Sequence, residues 1–303
     1  RDAGAPFIIK HEGRWHVVGI FTKLSKVEAS SESTSYFEGR YILVVDFLTW
    51  IRNIIGTAPS CPRKLPIEVP TNFDECGIPN ENAEGRIAGG NQAKPFEFPW
   101  MATIRYRKDA VNELQGAGSL ISPTFVLTAA SITQHIQAKH EYQKNPEQFI
   151  RDHFLVFLGK HANNANIEGN NPGEPFSQQL PVKKLHLHPN YSESVNSPNS
   201  NLALLELGWP ARVYFRPICL PQKDTHYLVD TNLTIAGWGA TAQNGPNSQN
   251  LHKAGVSVFN TGQHQTDVSS FYGIGKDICM VVCQLFYPFI TVVSEESIQK
   301  SSN

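Results

Sequence analysis

Between residues 87 and about 279 the chain repeats one pattern: a short apolar run, a cluster of Gly, Pro, Asn or Ser, then another short apolar run. Leu120-Ile121 with Phe125-Val126-Leu127, Phe154 to Leu158, Leu202 to Leu207 and Thr234-Ile235-Ala236 are examples. Short strands at regular spacing with turn signals between them argue an all-β barrel or sandwich. Residues 1–57 form a smaller β-rich piece. Phe7-Ile8-Ile9 and Trp15 to Phe21 read as strands around a His11-Glu12-Gly13 turn. Val44, Val45, Leu48, Ile51 and Ile55 then recur at helical spacing, predicting a helix at about 44–55 that stops at Gly56 and Pro59. A piece this small cannot hold a core alone. Residues 58–86, with Pro59, Pro62, Pro66, Pro70 and Pro79, read as a linker. A helical stretch is expected after Ser131. The tail, 280–303, is an apolar block followed by Ser, Glu, Lys and Asn, and carries no fold signal.

Charge removes one class of function. Lys and Arg number 26 against 27 Asp and Glu, a net charge of -1, and nucleic-acid recognition needs a clustered basic face. No apolar run reaches the roughly 18 to 20 residues of a spanning helix, and the stretch from Val281 to Val293 is interrupted by Cys283, Gln284 and Pro288. The five cysteines (Cys61, Cys76, Cys219, Cys279 and Cys283) match no zinc spacing. His186 and His188 share a strand face, but two imidazoles without a third ligand read as solvated side chains. No metal and no cofactor are expected.

Several short segments occur in a telling order. Arg86-Ile87-Ala88-Gly89-Gly90, Pro99-Trp100-Met101, Gly118-Ser119-Leu120-Ile121 and Val126-Leu127-Thr128-Ala129-Ala130 come first. Leu158-Gly159-Lys160-His161, His188-Pro189-Asn190-Tyr191, Leu202-Ala203-Leu204-Leu205-Glu206-Leu207, Pro217-Ile218-Cys219-Leu220-Pro221 and Ala236-Gly237-Trp238-Gly239 follow. Together they resemble the trypsin/chymotrypsin (S1) family of serine proteases, in the family's own order. The resemblance implies a two-barrel, double Greek-key fold and an activation cleavage between Arg86 and Ile87. Residues 1–57 resemble the opposite end of the same family: Arg1-Asp2-Ala3-Gly4-Ala5-Pro6 is similar to its G-D-S-G-G-P nucleophile loop, and Asp46 to Ile51 to its closing helix. Gly275 to Cys279 resembles the stretch that directly precedes that loop. The expected organisation is therefore the C-terminal remnant of an upstream module (1–57), a linker and activation segment (58–86), a module lacking its own nucleophile loop (87–279) and an unassigned tail (280–303). This is the pattern of a fragment of a tandem-module protein. Residues 1–57 are further expected to be able to complete the second barrel of 87–279 in the manner of a circular permutant.

Acyl transfer in this family needs a serine hydroxyl, a histidine to take its proton and an aspartate to orient that histidine. The resemblance places Ser131 at the histidine position, Asn201 at the aspartate position and Ala3 at the serine position. Serine has no pKa near 7, an amide carries no charge, and alanine has no nucleophile. Arg1 stands where a glycine N–H would help bind the oxyanion. The chain is expected to be inactive as a peptidase. Asp277 falls where trypsin-like members bind a basic side chain and is the substrate-pocket candidate. Active relatives bridge the positions of Gly116 and Ile132, and those of Leu233 and Ile9; here both members of each pair are lost together. Cys76 and Cys219 match the bridge that ties the pre-activation segment to the module. Asn190-Tyr191-Ser192 and Asn232-Leu233-Thr234 are N-glycosylation sequons. These features point to a secreted, extracellular binding or regulatory module in a proteolytic cascade, with an active protease or its substrate as protein partner, and no nucleic acid or membrane. The alternative is a segment of a larger multi-module endopeptidase whose other modules are active.

Overall fold

The computed structural model describes residues 3–28, 35–57, 76–80, 91–108, 111–133, 136, 139–163, 177–192, 200–221, 232–239, 247–259, 280–284 and 289–294. Three strands open the chain: β1 (Pro6–His11), β2 (Arg14–Glu28) and β3 (Ser35–Leu43). A 3-10 turn (Val44–Phe47) and helix α1 (Leu48–Thr57) follow, close to the helix expected from the spacing of Val44, Leu48 and Ile51.

The first barrel uses β5 (Met101–Lys108), β6 (Val111–Ser122), β7 (Phe125–Thr128), β8 (Phe154–Leu158), β9 (Gln178–Leu187) and β10 (Ala203–Leu207). Its strand order is β10-β7-β6-β5-β8-β9, closed by the antiparallel β9–β10 pair. Closure removes the unpaired edges that a flat sheet of such strands would expose. All five residues of β8 are buried. Among the described residues, helices α2 (His140–Lys144) and α3 (Pro146–His153) lie between β7 and β8. Helix α3 begins where Asn145 Oδ1 accepts the Gln148 N–H at 3.1 Å and Pro146 takes the first turn, where its missing donor costs nothing. The helical stretch expected after Ser131 is thus a 3-10 turn (Ala130–Thr133) and, further on, these two helices.

The second sheet adds β4 (Asn91–Gln92), β11 (Asn232–Gly237), β12 (His252–Phe259), β13 (Met280–Gln284) and β14 (Phe289–Ser294). Its order is β11-β1-β2-β3-β14-β13-β12-β4, and β11 also pairs with β12, so seven strands return on themselves and β4 is appended at an end. The fold is the two-barrel trypsin fold. The chain's first three strands sit inside its second barrel, between strands that come after residue 231. The tail, which the sequence left without a fold signal, supplies β13 and β14: β14 is antiparallel to β3 and β13 is parallel to β12. Trp100 and Trp238 are the largest fully buried side chains, and one apolar cluster runs from Ile8, Ile20 and Ile51 to Leu120, Leu127 and Leu204. No helix among the described residues is long and apolar enough to cross a membrane.

Candidate functional site

Strand β7 ends at Thr128 and runs through buried Ala129 and Ala130 into the 3-10 turn that holds Ser131. Asn201 precedes the buried Leu202 at the start of β10, the strand paired with β7. The two positions therefore meet by strand register. The Ser131 backbone N–H donates to Asn201 Oδ1 at 2.8 Å. Ser131 Oγ is buried and has no hydrogen-bond partner among the described residues. A neutral amide holds the backbone here, and among the described residues no titratable side chain bonds the hydroxyl beside it.

Ala3 reaches the same region from the other end of the chain. The Ala117 N–H donates to the Ala3 carbonyl at 2.9 Å, and the Gly4 N–H donates to the Phe21 carbonyl at 2.8 Å. Gly4 has φ +89, and a Cβ there would lie 1.9 Å from the Ala117 carbonyl oxygen. Only glycine allows the loop to come this close. A Cβ on Gly116 would sit 2.3 Å from the Ala3 carbonyl oxygen and 2.9 Å from Ile132 Cγ2, so Ala3 lies one residue's width from the turn carrying Ser131. Ser131 and Asn201 are bonded to each other, and Ala3 lies beside Gly116 and Ala117, across from Ile132 of the same turn. Arg1, Asp277, Arg86 and Ile87 lie outside the described residues, as do Cys61 and Cys279.

Other imidazoles stand elsewhere. His186 Nε2 is 3.1 Å from Glu206 Oε2, and Lys183 Nζ bonds the other carboxylate oxygen. Burial raises the Glu206 carboxyl, but these two partners outweigh it and hold it below the usual carboxylate value. The His188 ring packs edge-on against Phe47 at 4.9 Å and Trp50 at 5.1 Å, and burial lowers its pKa. His153 stacks on Phe149 at 4.2 Å, and His140 opens α2. Among the described residues no group of three His, Cys, Asp or Glu side chains is placed to hold a metal ion. One Ser–His contact exists that sequence reading missed: Ser248 Oγ lies 2.7 Å from His252 Nδ1. The same hydroxyl bonds the Asn250 carbonyl at 2.7 Å and accepts the Asn250 N–H at 3.2 Å. Those bonds lock the turn entering β12; an i, i+4 spacing across a tight turn was the only sequence cue.

At the positions where the resemblance led one to look for bridges, apolar atoms fill the space. Ile132 occupies the space beside Gly116, and Leu233 and Ile9 are buried in one cluster with Phe7, Val18, Tyr41 and Leu43. A disulfide joins Cys76 to Cys219. Beyond it, Glu97 and Lys253 form a buried ion pair at 2.6 Å, and Glu97 Oε2 also accepts the Lys94 N–H at 2.9 Å. That pair fastens the segment after the candidate cleavage site to β12. Asn190 is exposed, in a turn where the Tyr191 N–H donates to the His188 carbonyl at 2.9 Å. Asn232 is the first residue of β11, with Ser257 opposite it.

The closed six-strand barrel and the second strand ring are the architecture of a trypsin-type module. The Trypsin family model matches residues 87–281, more than half of the chain, and the chain belongs to that family. It is 31% identical over 175 residues to phenoloxidase-activating factor 3 of Holotrichia diomphalia, covering 55% of this chain and 45% of that protein. It is 30% identical over 184 residues to the CLIP domain-containing serine protease HP8 of Bombyx mori, covering 58% and 46%. It is 28% identical over 233 residues to the proclotting enzyme of Tachypleus tridentatus, covering 71% and 58%. The chain spans about half the length of the curated relatives it matches.

Proposed function

We propose that this chain is a non-catalytic member of the Trypsin family that acts as a binding or regulatory module in an extracellular proteolytic cascade, with an active protease or its substrate as partner. One observation carries the reading: Ser131 and Asn201, at the histidine and aspartate positions, are joined through a backbone N–H and an amide oxygen, with Ala3 close by. Nothing in that set attacks a carbonyl or accepts the attacker's proton. Loss of a catalytic serine or histidine alone costs on the order of 10⁶ in turnover. The cascade setting is supported by relatives named as a phenoloxidase-activating factor and a proclotting enzyme. An oxidising, extracellular compartment is supported by the Cys76–Cys219 disulfide and the exposed Asn190 sequon. A retained barrel surface without chemistry can occupy a protease's docking site without being turned over.

The test is labelling of the purified chain with a serine-directed fluorophosphonate, before and after trypsin treatment. No covalent adduct is expected in either state, and Ala3→Ser alone is expected to remain unlabelled because the base is still missing. An adduct on the unaltered chain refutes the proposal.

A further inference from the structure

The N-terminal unit, β1–β2–β3 with α1, is a meander that pairs first with itself. β1 and β2 share a six-residue register from Pro6↔Ile20 to His11↔Arg14, and β2 and β3 pair from Gly19↔Leu43 to Glu28↔Ser35. Residues that come later in the chain then complete its apolar face and both its edges. Phe7 and Ile8 face Ile235 and Thr234 of β11 across an antiparallel ladder. Phe7, Ile9, Val18, Tyr41 and Leu43 close around Leu233. Phe47 and Trp50 receive the His188 ring. The loop at Ala3 takes the Ala117 N–H at 2.9 Å; on the far side Val17 N–H donates to the Cys219 carbonyl at 2.9 Å and Cys219 N–H to the Trp15 carbonyl at 3.1 Å. Strand addition of this kind draws affinity from main-chain bonds and specificity from pockets for alternate side chains. Both elements are present, and both are non-covalent. Among the described residues the one disulfide, Cys76–Cys219, has both its cysteines outside the unit.

We propose that residues 87–303 carry an acceptor surface for a β-meander-and-helix unit, and that residues 3–57 occupy it as a docked partner which stays bound when the chain is broken between residues 57 and 76. The acceptor consists of β11, which pairs with β1, and β14, which pairs with β3, together with the Gly116–Ala117 backbone, Cys219 and His188. Its ligand is the closing third of a Trypsin-family module, whichever position in a longer polypeptide supplies it. Proteolysis of the Pro-rich segment would therefore convert the chain into a two-piece assembly with its second barrel intact, instead of shedding the N-terminal piece.

The experiment uses the full chain with a site-specific protease sequence inserted between Pro62 and Pro66. The chain is cut after folding and run on size exclusion with light scattering, oxidised and after mild reduction of Cys76–Cys219. Both pieces are expected to co-elute at the mass of the uncut chain in either redox state, and to separate in denaturant. A second measurement uses Trp50→Ala, which removes one wall of the His188 contact; its cut form is expected to release the N-terminal piece at a lower urea concentration than the cut parent. Elution of that piece as a separate species from the reduced, cut protein, or precipitation of either piece, overturns the proposal. So does identical urea dependence of release for Trp50→Ala and the parent.

Discussion

The Glu97–Lys253 pair offers the sharpest energetic test of how the segment after residue 90 is held. Both side chains are nearly buried, at 8% and 5% exposure, with 2.6 Å between Glu97 Oε1 and Lys253 Nζ. Changing Lys253→Met removes the cation and leaves a carboxylate in low dielectric with one remaining donor, the Lys94 N–H at 2.9 Å. Removing one partner of a buried pair costs about 3–5 kcal/mol, whereas replacing both by apolar groups of similar volume is near neutral. Lys253→Met alone should therefore lower Tm by about 6–20 °C, at about 2–4 °C per kcal/mol for a domain of this size. Glu97→Met combined with Lys253→Met should recover most of that loss. Tryptophan fluorescence in a urea titration reads the comparison, since Trp100 and Trp238 are both fully buried. If Lys253→Met costs less than about 1 kcal/mol, the pair behaves as a solvated surface bridge. Such a bridge does not clamp the segment to β12.

Other outcomes follow from the same geometry. Gly4→Ala combines a φ of +89 with a Cβ 1.9 Å from the Ala117 oxygen, and should cost about 3 kcal/mol or more. Gly13→Ala, at φ +81 with nothing near its Cβ, should cost about 1–2 kcal/mol, so urea midpoints of the two variants should differ clearly. Burial lowers the pKa of His188 and of His16, so the folded state binds fewer protons than the unfolded one. Their contribution is complete above the ordinary histidine value and is lost as pH falls through the lowered folded values; His188→Gln should flatten the fall in urea midpoint on acidification. Glu206 is held low by its partners, so its contribution persists above the ordinary carboxylate range and disappears as pH drops through the folded value. Glu206→Gln should remove that acid-side loss, read as midpoints near pH 7 and pH 3. Reducing Cys76–Cys219 should cost about 2–5 kcal/mol in the same titration without unfolding the chain.

The meeting of Ser131 and Asn201 was legible because their neighbours are core residues. Ala129 and Ala130 on one strand end and Leu202 to Leu205 on the other are fully buried, and their apolar runs fixed the register that places Ser131 opposite Asn201. The contact between Leu233 and Ile9 was also readable, since the resemblance paired the two positions and both residues are apolar. Sequence reading failed where the deciding contact lies far along the chain. Nothing local in residues 280–303 says that Phe289 will sit opposite Ile42 or Val281 opposite Ser257. The β-branched runs Val281-Val282 and Thr291-Val292-Val293 were the missed strand signal, hidden by Pro288 between them. The Glu97–Lys253 pair, 156 residues apart, left no signature beyond two unremarkable charges.

The bond between the Ser131 N–H and Asn201 Oδ1 has a wider consequence. An aspartate in that place would accept the same N–H in the same geometry, so exchanging carboxylate for amide leaves the turn undisturbed while deleting the negative charge. The scaffold therefore does not register the exchange: the turn keeps its anchor whether or not the side chain at 201 carries a charge. Shape and charge are set independently at this position, so one can drift while the other is held.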